Sequence, residues 1–260
     1  MPYIERTVIA GNTIEKKKYF TAQYGGKRCK RAKREEETSE KQRRENEKNA
    51  LDRLRWLINT NFVTGDFHII LTYKGAAPSP EEAAKLLSAY LRKLRNEYRK
   101  IGAELKYIAV TEYEANRIHH HVIINKADTE LISSMWKHGR VRFTPLDNMG
   151  DYSALASYLI KETKRTYKDG KASGKRWNAS RNLKQPEIIK RVINADGWRK
   201  VPKPIKGYYI ISDSIISDID VFGYPYQKYT MIKIQQSRKS RTQAKPNYNK
   251  SRELNTFRTG

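Results

Sequence analysis

The sequence predicts an α+β protein built around an antiparallel sheet, and three observations lead to that class. Short runs of β-branched and aromatic residues alternate with longer stretches of helical periodicity. Hydrophobic residues make up 38% of the 260 residues, which is enough for a real core and excludes a wholly disordered chain. Between residues 67 and 165 the order of elements is strand, helix, strand, strand, helix, strand, helix.

The regular elements lie in the middle of the chain. Ser79 is expected to cap a helix whose first turn begins with Pro80. The predicted strands are Phe67–Tyr73, Leu105–Tyr113, Arg117–Asn125 and Arg140–Thr144, and the later helices are Asp128–Trp136 and Asp151–Arg165. This order is the split β-α-β, or ferredoxin-like, arrangement. It predicts a sheet of four to five strands with helices on one face, and the other face open for a ligand or for the last helix.

Composition divides the chain into four expected segments. They are a basic N-terminal segment with a long charged helix (1–58), the α+β core (59–165), a basic and aromatic extension (166–234) and a disordered basic tail (235–260). Within the extension, Gly207–Ile211 and Tyr224–Ile234 have the composition of strands.

The charge balance predicts a polyanionic partner. Lys and Arg number 53 against 28 Asp and Glu, which gives a net charge of +25 and a pI near 10.0. Nucleic acid is the first candidate and an anionic membrane surface the second. The single Cys29 excludes an internal disulfide framework and any zinc or iron–sulfur site built from cysteines. No signal peptide or membrane-spanning segment is predicted, so the expected location is the cytoplasm.

A candidate metal site comes from the histidine run and the preceding strand. Side chains alternate along a strand, so His119 and His121 share one face while His120 points to the other. With a tight turn at residues 115–116, Glu112 lies opposite His119. Two imidazoles and one carboxylate suit Mg²⁺ or Mn²⁺ beside a phosphate, and they also accept Zn²⁺, Co²⁺ or Fe²⁺. The alternative is an accidental histidine run, and another turn length would replace Glu112 by Glu114.

The last helix offers a candidate nucleophile. Tyr158 and Lys161 are three residues apart and therefore share a helix face. A helix that packs over the open sheet face brings Tyr158 to the metal, and Lys161 then either assists loss of the phenolic proton or holds a phosphate. Tyr152 faces elsewhere, and Tyr158 is alternatively a packing residue.

Three stretches of the sequence resemble the HUH endonucleases, and more closely the rolling-circle replication initiator (Rep) proteins of phages, plasmids and integrated elements. The stretches are Ile70-Leu71-Thr72-Tyr73, then Thr111-Glu112-Tyr113 with His119-His120-His121, then Tyr158-Leu159-Ile160-Lys161. The resemblance covers about residues 59–190. It departs from the family at His120, and at Ala154, which stands where two-tyrosine members have their second tyrosine. A single catalytic tyrosine is therefore implied.

The resemblance implies a site-specific nuclease that initiates DNA replication. Tyr158 attacks single-stranded DNA at the origin, keeps the 5′ phosphate as a phosphotyrosine and frees a 3′-hydroxyl. The expected DNA contacts are Arg117, Lys164, Arg165, Lys175, Arg176, Trp177, Arg181 and Lys184. The string Gly170–Arg176 is not a P-loop, so helicase and polymerase are expected from the host.

Three rival interpretations stay open at this point. A non-enzymatic single-stranded DNA- or RNA-binding module explains the charge but leaves Tyr158, Lys161 and the histidines unexplained. A single-tyrosine transposase or a relaxase would use the same chemistry. A non-haem iron oxygenase shares the two-His, one-carboxylate set, but the charge and the order of elements argue against it.

Overall fold

The computed structural model describes residues 3–21, 40–114, 117–168, 176–195, 197–220 and 222–234, and all their side chains except those of 41, 114 and 162–168. The helices are α1 (Glu40–Asn61), α2 (Pro80–Lys100), α3 (Thr129–Ser134) and α4 (Ser153–Lys168). The strands are β1 (Tyr3–Ala10), β2 (Thr13–Phe20), β3 (Phe67–Leu71), β4 (Tyr107–Glu114), β5 (Arg117–Ile124), β6 (Val141–Pro145), β7 (Asn178–Ala179), β8 (Glu187–Ile193), β9 (Tyr208–Ile210), β10 (Ile216–Ile219) and β11 (Pro225–Lys233). The α+β class is confirmed.

The middle of the chain forms a five-stranded antiparallel sheet with the order β6-β3-β5-β4-β7. Each strand and helix predicted there is present, with ends that differ by three residues or fewer. The helix α2 begins as expected, because the Ser79 hydroxyl accepts a hydrogen bond from the Glu82 backbone N–H and the Glu82 carboxylate accepts one from Ser79.

Helices cover both faces of this sheet, whereas the sequence placed α2 and α3 on one face and left the other open for the last helix. On the first face α2 and α3 bury a core with residues such as Ile69, Val122 and Ile124. On the second face α1 and α4 pack over Ile108, Val110 and Ile123. The second face therefore carries α4, as expected, and also the apolar half of α1.

A second antiparallel sheet joins the two ends of the described chain. Its order is β10-β11-β2-β1-β8, with β9 also paired to β11. The strands at 208–210 and 225–233 match the expected ones, but the hairpin β1–β2 and the strands β8 and β10 were not foreseen. One sheet thus takes strands from two of the four predicted segments. The expected N-terminal part of the long helix and the tail at 235–260 lie outside the described residues.

The helix α1 lies between the two sheets. Leu54, Leu57 and Ile58 face the five-stranded sheet, while Trp56 packs against Val8 and Ala10 of the six-stranded one. The last turn of α1 also touches the β1–β2 turn, where the Asn59 amide donates to the Thr13 hydroxyl at 3.2 Å. The helix α1 therefore packs against both sheets.

A close backbone approach fixes the loop that leads into β6. A methyl group on Gly139 would lie 2.0 Å from the Thr72 carbonyl oxygen, which also accepts a hydrogen bond from the Trp136 indole at 2.9 Å. We expect Gly139→Ala to lower the free energy of unfolding by about 1–3 kcal/mol, because backbone must move to admit the methyl. Urea denaturation measures this loss. Gly197→Ala is the control, since nothing lies within 4 Å of the added atom, and equal stability of the two variants would contradict the prediction.

In the parts of the chain that the structure describes, no helix combines the length and the apolar character that crossing a bilayer requires.

Candidate functional site

The site is built on the β4–β5 hairpin, which places Glu112, His119 and His121 on one face. The strands pair with Glu112 directly opposite His119 and with Val110 opposite His121. This is the register that the sequence predicted from a two-residue turn; the turn itself, at 115–116, and the side chain of Glu114 lie outside the described residues. The face is the one that α1 and α4 cover.

The three side chains meet at one carboxylate oxygen. Glu112 Oε2 lies 3.2 Å from His121 Nε2 and 4.0 Å from His119 Nδ1. His121 is buried and the Glu112 side chain nearly so, whereas 28% of the His119 side chain is exposed. A group bound at this point would therefore be reached from the His119 side.

A further histidine on the neighbouring strand contacts the trio, and sequence reasoning did not single it out. His68 of β3 is buried, and its Nε2 lies 3.2 Å from His121 Nδ1 with the two rings stacked. Burial lowers the pKa of His68 to about 4, with a smaller contribution from His121, so His68 is neutral near pH 7. His68 and Glu112 thus hold the His121 ring at both nitrogens. A signal was present, since His68 interrupts an otherwise apolar strand.

His120 belongs to the opposite face, as the alternation of side chains predicted. It is fully buried against Trp136, and its two ring nitrogens lie 2.8 Å from the Tyr73 hydroxyl and 2.9 Å from the Thr111 hydroxyl. Burial, and then His121 and His119, lower its pKa to about 3. His120 is therefore a neutral core residue that fixes β5 against β3 and β4.

The helix α4 brings Tyr158 beside the histidines. Its ring centroid lies 5.3 Å from that of His121 and 6.3 Å from that of His68, and 41% of the residue is exposed. Leu159, Ile160 and Ala156 anchor the helix in the core. Lys161 follows one turn later, with an exposed side chain.

Tyr152 occupies a different environment, as expected from its position on the helix. It is buried just ahead of α4, and its hydroxyl donates to the Asp147 carbonyl at 3.3 Å. Burial, and then Asp147, raise the pKa of Tyr152 to about 12. Tyr152 is therefore interpreted as a structural residue and not as the nucleophile.

The side chains of His119, His121 and Glu112 are of types that bind a divalent ion, but their present spacing is not yet that of a complete ligand set. Among the described residues, no group of three His, Cys, Asp or Glu side chains is already arranged around one ion position. Two donors bound at about 2.1 Å and at right angles lie about 3.0 Å apart. The His121–Glu112 separation of 3.2 Å agrees with this, while His119 must approach the carboxylate from its 4.0 Å. Of the three side chains, His121 and Glu112 are hydrogen-bonded to each other.

The other predicted DNA contacts do not gather in one place. Arg117 is exposed at the start of β5, and Lys184 is exposed with its backbone held by Asn61. Arg176 and Trp177 line a cavity of about 440 Å³ with Arg53 of α1. Arg181 lines another, of about 580 Å³, at the β4–β7 edge. Lys175 and the side chains of Lys164 and Arg165 lie outside the described residues.

The comparisons with known proteins point to DNA replication. Residues 66–163 match the model of a family described as Replication-associated protein ORF2/G2P, a stretch that covers less than half of the 260 residues. No curated protein and no solved structure matches the chain. The matched stretch begins just before β3 and ends within α4, so it contains His68, Glu112, His119, His121 and Tyr158. The part of the chain that carries the candidate site is thus similar to replication-associated proteins.

Proposed function

We propose that this protein is an HUH endonuclease of the Rep type, which nicks and rejoins single-stranded DNA at a replication origin through Tyr158. The observation that carries the proposal is the Tyr158 ring beside His121, within the stretch that matches the replication-associated family. Two histidines and a carboxylate on one sheet face, with a tyrosine of the covering helix beside them, suit transfer of a phosphodiester to the tyrosine. The sheet order β6-β3-β5-β4 supports a ferredoxin-like core.

The proposed step is a transesterification. The phenolic oxygen of Tyr158 attacks the phosphorus and loses its proton, and the bond from phosphorus to the 3′ oxygen breaks. That oxygen takes up a proton and leaves as a 3′-hydroxyl, while the 5′ phosphate stays on Tyr158. Since one ester replaces another, the reverse reaction rejoins the strand without ATP. Lys161 is proposed to hold the phosphate charge from the same helix face.

We further propose that His119, His121 and Glu112 hold Mg²⁺ or Mn²⁺. When bound, such an ion supplies Lewis-acid polarisation of the phosphate oxygens. His121 offers Nε2 when its proton is on Nδ1, and His68 Nε2 is placed to accept that proton's hydrogen bond. His68 is thus a positioning residue for His121.

The proposed setting is rolling-circle replication of a mobile element in the cytoplasm of a bacterial host. The free 3′-hydroxyl primes synthesis, and host helicase and polymerase are the expected partners. The net charge of +25 suits binding to a single strand, and Arg117, Arg176, Trp177, Arg181 and Lys184 are proposed to contribute separate contacts to it.

A covalent-adduct experiment tests the function directly. The full-length protein is mixed with a pool of single-stranded DNA and Mn²⁺ or Mg²⁺, denatured and digested, and DNA–peptide links are mapped by mass spectrometry. We expect one link, on Tyr158, that is lost when the metal is chelated. Tight binding without any link, under either metal, would favour the non-enzymatic module. A link on another tyrosine would keep the enzyme class and overturn the assignment of Tyr158.

A further inference from the structure

An exposed arginine lies on the same sheet face as the candidate site, two strands away from His121. Ile70 of β3 pairs with His121 on one side and with Arg142 of β6 on the other. The three residues therefore form one row across the sheet, and their side chains project from the same face. The alternation along β6 agrees, since Val141 and Phe143 pack into the core on the opposite face.

Arg142 has no acidic partner among the described residues. Its side chain is exposed, and no ion pair or side-chain hydrogen bond holds it within the parts of the chain that the structure describes. Water hydrates an exposed arginine on an edge strand, so its exposure alone does not indicate a binding site. Its row in the sheet is the informative observation, because that row contains His121.

The helix α4 leaves this side of the face open. It packs against β4, on the far side of β5 from β3 and β6. Ile108 and Val110 beneath it are fully buried, whereas Ile70 is only half-buried. The sheet face at Ile70 is therefore partly exposed, with Tyr158 and His121 on one side of it and Arg142 on the other. Adjacent strands are about 4.8 Å apart, so the backbones of His121 and Arg142 are separated by roughly 10 Å.

The positive charge continues beyond the start of β6. Arg140 is exposed and lies two residues before Arg142. Its backbone carbonyl accepts a hydrogen bond from the Thr72 N–H at 3.0 Å. Next to it is a cavity of about 440 Å³, lined by Thr72, Tyr73, Lys74, Lys137, Gly139 and Arg140. The contact between Gly139 and the Thr72 backbone holds this loop in place.

We propose that Arg142 binds a phosphate of the single-stranded DNA next to the one that Tyr158 attacks, and that Arg140, Lys137 and Lys74 continue this contact along the β6 edge. The proposal deepens the nuclease function and rests on it. An arginine suits the role because its planar fork binds two phosphate oxygens at once. The contact is to the DNA backbone, so it positions the strand and does not read its sequence.

Binding measurements on a variant that cannot be cleaved test this contact. The background is full-length Tyr158→Phe, the probe is a fluorescent oligothymidylate, and the affinity is measured by anisotropy across a salt series. We expect Arg142→Ala to weaken binding by about fivefold, and to reduce the slope of log K against log salt by about 0.7, the value for one phosphate of a single strand. Arg142→Lys should recover the slope but only part of the affinity.

Arg92→Ala is the matched control, because Arg92 is an exposed arginine of α2 on the opposite face of the sheet. Unchanged affinity in Arg142→Ala, or an equal loss in both arginine variants, would overturn the proposal. The melting temperature of each variant verifies folding. Since no cleavage is needed, failure here is distinct from failure of the nuclease function, which the adduct experiment measures on the wild-type protein.

Discussion

Replacing Tyr158 by phenylalanine is expected to abolish the covalent DNA adduct while leaving the affinity for single-stranded DNA close to that of the wild type. Phenylalanine keeps the ring that packs beside His121 and His68 and removes only the hydroxyl. Without that oxygen no phosphotyrosine forms, so nicking and rejoining are lost together. The measurement is gel separation of denatured protein–DNA adducts, with anisotropy for binding.

Tyr152→Phe is the matched control on the same segment. Its hydroxyl makes a 3.3 Å hydrogen bond to the Asp147 carbonyl, and burial raises the pKa of the phenol to about 12. We expect this variant to form the adduct at the wild-type rate and to be slightly less stable, by about 1 kcal/mol for one lost hydrogen bond. An adduct that persists in Tyr158→Phe and disappears in Tyr152→Phe would reverse the assignment of the nucleophile.

The parts of the site that the sequence predicted are those set by short-range rules. Alternation along β5 separates His119 and His121 from His120, and a two-residue turn places Glu112 opposite His119. Helical spacing and the position of α4 after β6 brought Tyr158 to the same face. The hairpin relations depend on near neighbours in the chain, which a sequence displays directly, whereas the placement of Tyr158 also depended on the order of the elements.

The missed parts depend on contacts between distant segments. His68 reaches His121 only because β3 pairs with β5, and the run Phe67–Leu71 alone does not show which strand lies beside it. Arg142 is informative only once β6 lies next to β3. Tyr3 pairs with Ile193 and Ile9 with Glu187, so the pairing of β1 with β8 has no local signal in the sequence.

One missed element did have a local signal. The hairpin β1–β2 turns at Gly11 and Asn12, between two runs of alternating side chains. Gly11 has φ +57°, and a methyl group there would lie 1.8 Å from the Asn59 carbonyl oxygen. A two-residue Gly-Asn loop is typical of such hairpins, so this strand pair was predictable. Its contact with α1 was not.

Replacing Glu15 by alanine is expected to be the most destabilising single change at the junction of the two sheets. Glu15 lies on β2, is 2% exposed and faces α1. Its carboxylate pairs with Arg55 of α1, with Lys228 of β11 at 3.3 Å and with Arg6 of β1 at 3.4 Å. Asp52 is the second carboxylate of the cluster, 3.1 Å from Lys228 and 3.6 Å from Arg55.

The expected loss of stability in Glu15→Ala follows from the cations that remain when the carboxylate is removed. Arg55 and Lys228 would keep only the carboxylate of Asp52, Arg6 would lose its Glu15 partner, and the Arg55 side chain is only 12% exposed. Breaking a buried ion pair from one side costs about 3–5 kcal/mol, because the remaining charge is desolvated without compensation. We expect Glu15→Ala to lower the free energy of unfolding by that amount in urea titrations, and Glu15→Gln to lose nearly as much since the charge is gone.

Glu40→Ala on α1 separates this effect from the loss of any surface ion pair. Glu40 and Arg44 pair at 2.6 Å with side chains more than 70% exposed, so their contribution is below about 1 kcal/mol. If Glu15→Ala were no more destabilising than Glu40→Ala, the prediction would be wrong. The attraction between the Glu15 carboxylate and its cations would then be offset by the cost of desolvating that carboxylate. The apolar contact of Trp56 with Val8 and Ala10 would then be what holds α1, and with it the five-stranded sheet, to the six-stranded one.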